Sequence, residues 1–183
     1  MKKIVLAALA STVALAATPA MAANSDSKDF TIRANVAQEC SVEDPDNINF
    51  GRIAIDRAPG SGALLVTQGR QTVRQSVWVS CNYGADMAMT SGSMTTAEVN
   101  DGNDSGDFTD VIPLRMGITA SDGTAFGKIF FDTKTKSGNS KTNADAFHDL
   151  AEIAVVLNPD DLDGKRPLAG SYSTVATLSV GPI

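Results

Sequence analysis

Most of the chain alternates apolar and polar residues with a period of two, which is typical of β-strands that bury one face. Runs of Gly, Pro, Asn, Asp and Ser interrupt this alternation, as turns between strands do. The pattern predicts about eight short strands. They cover residues 30–36, 48–55, 73–81, 87–89, 112–118, 128–131, 151–157 and 172–180.

No segment shows the sustained 3.6-residue apolar period of a long amphipathic helix. Because a parallel α/β fold needs helical crossovers, we expect an all-β fold, an antiparallel sandwich of the immunoglobulin type. Pro113 interrupts the alternation of residues 112–118 and predicts an edge strand or a bulge there. Residues 133–144 are polar and are expected to form a long exposed loop.

The first 22 residues have the pattern of a secretory signal peptide. Lys2 and Lys3 precede an apolar stretch, residues 4–17, which is too short for a membrane span. Residues 20–22 form a small-x-small cleavage site. Cleavage there would leave 183 − 22 = 161 residues, which suits one domain.

The composition argues against two broad classes of function. The net charge is −6, and the 15 Lys and Arg are scattered among 21 Asp and Glu, so no basic surface for a nucleic acid is expected. One His and two Cys are too few for a usual structural zinc site. In an exported protein, Cys40 and Cys81 are most simply one disulfide, and the alternative is a free reactive thiol.

Candidate residues for catalysis or metal binding are scarce. Residues 101–107 begin like an EF-hand calcium loop, but the twelfth position is Ile112, which cannot bind calcium. Asp160, Asp161 and Asp163 allow the same two interpretations, a calcium site or a solvated turn. His148 is the sole histidine, and no Gly-x-Ser-x-Gly motif accompanies it, so we expect a surface or capping residue rather than part of a triad. We therefore predict no enzyme activity, no metal and no cofactor.

The segment before Cys40 allows two interpretations. Phe30, Ile32, Ala34 and Val36 alternate with polar residues and would share one face of a strand. This strand is either the first of its own sandwich or one given to a neighbouring molecule. A sandwich that lacks an edge strand exposes an apolar groove, which an extended segment of another chain can fill. The pattern alone favours neither interpretation.

The order of several short motifs resembles that of archaic chaperone–usher pilus subunits, the pilins that share the spore coat U domain. The resemblance covers both ends of the chain after the signal peptide and does not extend to residues 95–150. The first motif is also similar to donor segments of the colonisation-factor pilins, which generally lack the two cysteines. The matching motifs are residues 29–36 (DFTIRANV), Cys40 with Val42, residues 48–51 (INFG), residues 77–81 (VWVSC) and residues 168–175 (LAGSYSTV).

The resemblance implies an incomplete immunoglobulin-like domain, residues 39–183, after a signal peptide (1–22) and a donor-strand extension (23–38). The residues that match the donor motif are Phe30, Ile32, Ala34 and Val36. A periplasmic chaperone would supply the missing strand during transit. An outer-membrane usher would then exchange it for the donor segment of the next subunit.

The implied function is that of a pilus shaft subunit, which forms head-to-tail polymers with identical or related pilins. The fibre, a fimbrium at the cell surface, would serve adhesion and biofilm formation. A tip adhesin carries an extra binding domain, for which the chain is too short. The alternative is a secreted, self-complete β-sandwich that acts as a matrix or coat component or as a carbohydrate-binding module. That alternative predicts a stable monomer.

Overall fold

The computed structural model describes residues 26–121, 123 and 125–183, so the predicted signal peptide lies outside the described residues. The chain divides into two compact units, Met1–Asn35 and Val36–Ile183. The described part of the first unit, residues 26–35, contains no helix and no strand.

The second unit is built almost entirely from β-strands. Within its described residues there are twelve strands and one 3₁₀ turn, Pro159–Leu162, which overlaps the predicted acidic turn at residues 160–164. In chain order the strands are β1 (Cys40–Val42), β2 (Gln71–Cys81), β3 (Ala85–Ser91), β4 (Met94–Thr95), β5 (Phe108–Thr109), β6 (Val111–Ile112), β7 (Arg115–Ala120), β8 (Lys128–Asp132), β9 (Gly138–Asn143), β10 (Phe147–Leu157), β11 (Arg166–Pro167) and β12 (Ala176–Pro182).

Two larger sheets organise the unit. One has five antiparallel strands in the order β1-β2-β10-β7-β8, and the other has three antiparallel strands in the order β12-β3-β9. Two small pairs complete the architecture: β4 with β6, antiparallel, and β5 with β11, parallel. The described chain is thus nearly all-β and predominantly antiparallel, as predicted, and its sheet order is consistent with a β-sandwich.

One cluster of buried apolar side chains joins the two larger sheets. In β2 the alternate residues Val77, Val79 and Cys81 are buried, while Trp78 between them is half-exposed. The sequence period therefore identifies the buried face directly, because alternate residues of a strand point to opposite faces. A fully buried Val, Ile or Phe contributes about 1.5–3 kcal/mol relative to an exposed one. Further members of the cluster are Met87, Met89, Met116, Ile118, Ile129, Phe131, Ala151, Ile153 and Val155.

The prediction of a long exposed loop at residues 133–144 is wrong, because β9 lies within this range and pairs with β3. The sequence of β9, GNSKTN, has no apolar alternation. An edge strand can be held by backbone hydrogen bonds alone while its side chains stay polar, so its composition resembles that of a loop.

Two other predicted strands are not formed. Residues 26–39 form no strand, and β1 begins only at Cys40. Phe30 to Val36 therefore do not form the first strand of either sheet. Residues 48–55 contain only an isolated bridge between Ile55 and Val66. Gly51 has a φ of 69°, a left-handed conformation that interrupts extended backbone.

The remaining strand predictions are largely confirmed. Those at residues 73–81, 87–89, 128–131 and 151–157 lie within β2, β3, β8 and β10. The last strand begins later than predicted, at Ala176. Pro113 separates β6 from β7, and since β7 pairs with both β10 and β8, the proline marks an interruption rather than an edge strand.

Candidate functional site

An apolar groove borders the edge of the three-stranded sheet. β12 ends that sheet, pairing with β3 on one side and with no other strand of the described chain. A cavity of about 360 Å³ lies there, lined by residues from the segments 45–50 and 172–178 and by side chains from the sheets. We call this cavity the edge groove. Its position at a free strand edge is where a further strand could add to the sheet.

Apolar side chains from both larger sheets line the edge groove. Those from the core are almost fully buried, whereas those near its mouth are only half-buried. Half-buried apolar surface beside unpaired backbone is the combination that strand addition covers. The core contributors are Met89, Leu114, Met116, Ile153 and Val155, and the half-buried ones are Ile48, Phe50, Met94, Tyr172 and Leu178.

One backbone bond and three bonds made by side chains hold the chain that follows β1. The Glu43 N–H donates to the Trp78 carbonyl at 2.9 Å, and the Glu43 carboxylate accepts from the Trp78 N–H at 2.9 Å. Farther along, the Gln75 amide accepts from the Asp46 N–H at 2.7 Å and donates to the Asp46 carbonyl at 3.0 Å. These bonds explain why a polar residue, Gln75, stands between Val73 and Val77 on the core-facing side of β2.

The second segment lining the edge groove is anchored at Tyr172. Its hydroxyl shares a hydrogen bond between the carbonyl oxygens of Leu168 at 3.0 Å and Thr109 at 3.1 Å. Burial raises the pKa of Tyr172, and the nearby Asp110 carboxylate raises it further. The next residue, Ser173, exchanges two backbone hydrogen bonds with Thr95 of β4. The chain therefore enters β12 from a fixed position.

The predicted donor residues are exposed. Phe30 is 83% exposed, and Ile32 and Val36 are each 82% exposed. Ala34 is exposed as well. All residues from 26 to 39 are exposed, so the apolar row is accessible along its whole length.

The disulfide between Cys40 and Cys81 is confirmed. The two residues lie directly opposite each other in the β1–β2 pair. They join the start of β1, which follows residues 23–38, to the end of the long central strand β2. The described residues contain no free cysteine, so the alternative of a reactive thiol at these positions is wrong.

His148 lies on the exposed face of β10, opposite Ser80 of β2. The Ser80 Oγ and His148 Nδ1 atoms are 2.6 Å apart, and the imidazole stacks on the Trp78 ring with centroids 4.7 Å apart. His148 is therefore a surface residue, as expected. Sequence reasoning missed its two partners, because their proximity depends on the register between β2 and β10.

Two aspartates of the acidic turn at residues 160–164 form ion pairs. Asp161 is buried and accepts from Arg115 Nη2 at 2.6 Å, and Asp163 accepts from Lys134 Nζ at 2.6 Å. The hydrogen bond and charge of Asp161, aided by Asp132, raise the pKa of Arg115. Residues 101–107 form an exposed turn. Within the described ranges no group of three or more His, Cys, Asp or Glu is placed to hold a metal ion.

No protein-family model matches the chain, and no curated protein matches it. The described residues include no helix that is long and apolar enough to cross a membrane. The candidate function therefore depends on the edge groove, the disulfide and the exposed apolar row. The absence of enzyme activity stays a prediction.

Proposed function

We propose that the chain is a structural pilus subunit of the fibre shaft that polymerises by donor-strand exchange. The observation that carries this proposal is the edge groove beside the free edge of β12. The exposed row of Phe30, Ile32, Ala34 and Val36 supplies the matching element on another copy. We call residues 23–38 the donor segment.

The chemistry of the groove suits an extended strand. A donor segment laid along β12 would form main-chain hydrogen bonds with the unpaired edge, and alternate side chains would enter the edge groove. Burial of Phe30, Ile32 and Val36 would contribute about 1.5–3 kcal/mol each. The ordering of the segment opposes this gain. With the added strand, the antiparallel architecture would become a complete immunoglobulin-like sandwich.

The contact between subunits is head-to-tail, because the donor segment and the edge groove are different surfaces. Such a contact does not close on itself, and its repetition gives a filament. In the filament each donor segment leads into β1 of its own subunit. β1 has only three residues and few backbone bonds to β2. The Cys40–Cys81 bond links it to β2 covalently.

The partners follow from the family resemblance. A periplasmic chaperone fills the groove during export, and an outer-membrane usher replaces it with the donor segment of an identical or related subunit. The product is a fimbrium at the cell surface that serves adhesion and biofilm formation. Neither a cofactor nor a nucleic acid has a role in this scheme.

The test is an unboiled SDS gel of material sheared from cells, run beside the same sample after boiling. The wild-type chain should give a ladder that collapses on boiling to the mature subunit. The double variant Ile32→Asp with Val36→Asp should give no ladder, because two charges on the apolar row cannot enter the groove.

The matched control is Thr31→Asp with Asn35→Asp, which adds the same charge to the opposite face of the donor segment. This control should keep the ladder. Export and folding are checked by the oxidised Cys40–Cys81 bond in both variants. A normal ladder from the Ile32/Val36 variant, or a wild-type chain that is monomeric without boiling, would overturn the proposal and favour a self-complete sandwich.

A further inference from the structure

Methionine is concentrated at the edge groove. The chain has six methionines, and four of them lie in the described residues. Three of these four, Met89, Met94 and Met116, line the edge groove. They come from separate strands, β3, β4 and β7, so local sequence does not explain why they meet. The fourth, Met87, is fully buried in the core and does not line the groove.

Methionine has physical properties that suit a variable occupant. Its side chain is unbranched with three rotatable bonds, and its thioether is polarisable, so it fills irregular gaps and adapts to different neighbours. β-Branched residues are stiff at χ1 and would present one fixed shape. Isoleucine and valine serve elsewhere in the groove, at Ile153 and Val155. The three methionines are thus the long, unbranched apolar side chains of this lining, beside branched and aromatic ones such as Leu114, Ile153 and Phe50.

We propose that Met89, Met94 and Met116 make the edge groove an adaptable acceptor, which takes extended segments with apolar residues of different size and shape. This inference rests on the proposed function and concerns its partner. One subunit could then accept the donor segments of related subunits as well as its own kind. What the groove requires is an alternating apolar row, and what it rejects is a charge in that row.

The experiment measures the binding of labelled peptides to the full chain. The acceptor is the Ile32→Asp with Val36→Asp chain, whose own donor segment is disabled. The probes are a peptide of residues 26–38 and its Phe30→Leu, Ile32→Met and Val36→Leu forms, with Ile32→Asp as the negative control. We expect the three apolar forms to bind within about tenfold of the natural peptide. The charged form should lose binding.

Groove variants then test the role of the methionines. Met89→Ile, Met94→Ile and Met116→Ile should leave the affinity for the natural peptide within about tenfold of the original. They should lower the affinity for the altered peptides by a further tenfold or more. Met87→Ile makes the same chemical change away from the groove and should leave all affinities unchanged. Met116→Leu keeps a similar volume and serves as a second folding check, because swaps of similar volume are tolerated in cores.

The outcomes separate the two proposals. If the natural peptide fails to bind a folded acceptor, the donor-strand function itself is wrong. If the natural peptide binds but the altered ones are rejected by more than about a hundredfold, the groove is not adaptable. If the isoleucine variants tolerate every apolar peptide as well as the natural groove does, the methionines are not the cause.

Discussion

The two edges of the three-stranded sheet differ, although β12 and β9 flank the same strand. Met89 of β3 pairs with Leu178 on one side and with Asn139 on the other. Asn139 Nδ2 donates to the Phe130 carbonyl of β8 at 2.9 Å and so links the two larger sheets. Leu178 instead lines the edge groove. At equivalent positions, one edge is closed by a polar contact and the other borders a cavity.

The next row repeats this difference. Met87 pairs with Val180 of β12 and with Lys141 of β9. A charged side chain on the core-facing side of an edge strand discourages the addition of another strand. β9 therefore has the features of an edge that ends a sheet, and β12 lacks them. The comparison teaches that the open edge is a local property of β12 and not a general feature of this sheet.

The largest expected effect comes from a charge on the open edge. Leu178→Asp should abolish fibre assembly, because an unpaired carboxylate would have to be buried under the donor segment. Ser140→Asp, the same new residue at an exposed position of β9, should leave assembly intact. The measurement is the unboiled gel of sheared material, with the Cys40–Cys81 bond checked in each variant. Equal loss of the ladder in both variants would contradict the difference between the edges.

The next effect concerns the anchor of β1. Replacing Cys40 and Cys81 together by serine should lower the free energy of unfolding by about 4 kcal/mol in the chain-entropy picture. The bond closes a sequence separation of 41 residues. Urea unfolding of the purified chain measures the change, and Ser76→Ala, at an exposed position of β2, is the control for a small substitution in that strand. A loss below 1 kcal/mol would show that hydrogen bonds alone hold β1.

The smallest effect is a pH dependence at the groove. The pKa of Tyr172 is raised above its ordinary value by burial and by Asp110. A raised pKa in the folded state means stability that is fully present below pH 10 or so and is lost as the pH rises through the folded value. Tyr172→Phe should remove this part of the alkaline loss. Urea unfolding at neutral and alkaline pH, compared between the two chains, measures it, and identical alkaline losses would contradict the assignment.

The sequence predicted well what depends on burial. The apolar period predicted β2 and β10 because alternate residues at 77–81 and 151–157 are apolar and face the core. The two cysteines, read together with the predicted signal peptide, indicated the disulfide. The predictions failed where the structure depends on backbone pairing or on the register between distant segments. β9 is polar along its length, and the bonds of Gln75 to Asp46 join residues that are 29 apart in the chain.

The candidate site could be predicted only in part. The alternating row at residues 30–36 was visible because it is contiguous. The edge groove was not, because its methionines come from three strands and its rim comes from segments after β1 and before β12. A strand that is absent from a sheet leaves no pattern of its own in the sequence.

The central claim is that the donor segment of one copy enters the edge groove of another. Its most direct test is to export together a chain with Ile32→Asp and Val36→Asp and a chain with Leu178→Asp. The first keeps only a working groove and the second only a working donor segment. The account predicts one dimer band in the unboiled sample and no longer species, with monomers from either chain alone. Monomers alone from the mixture, with both chains folded and oxidised, or a full ladder, would contradict it.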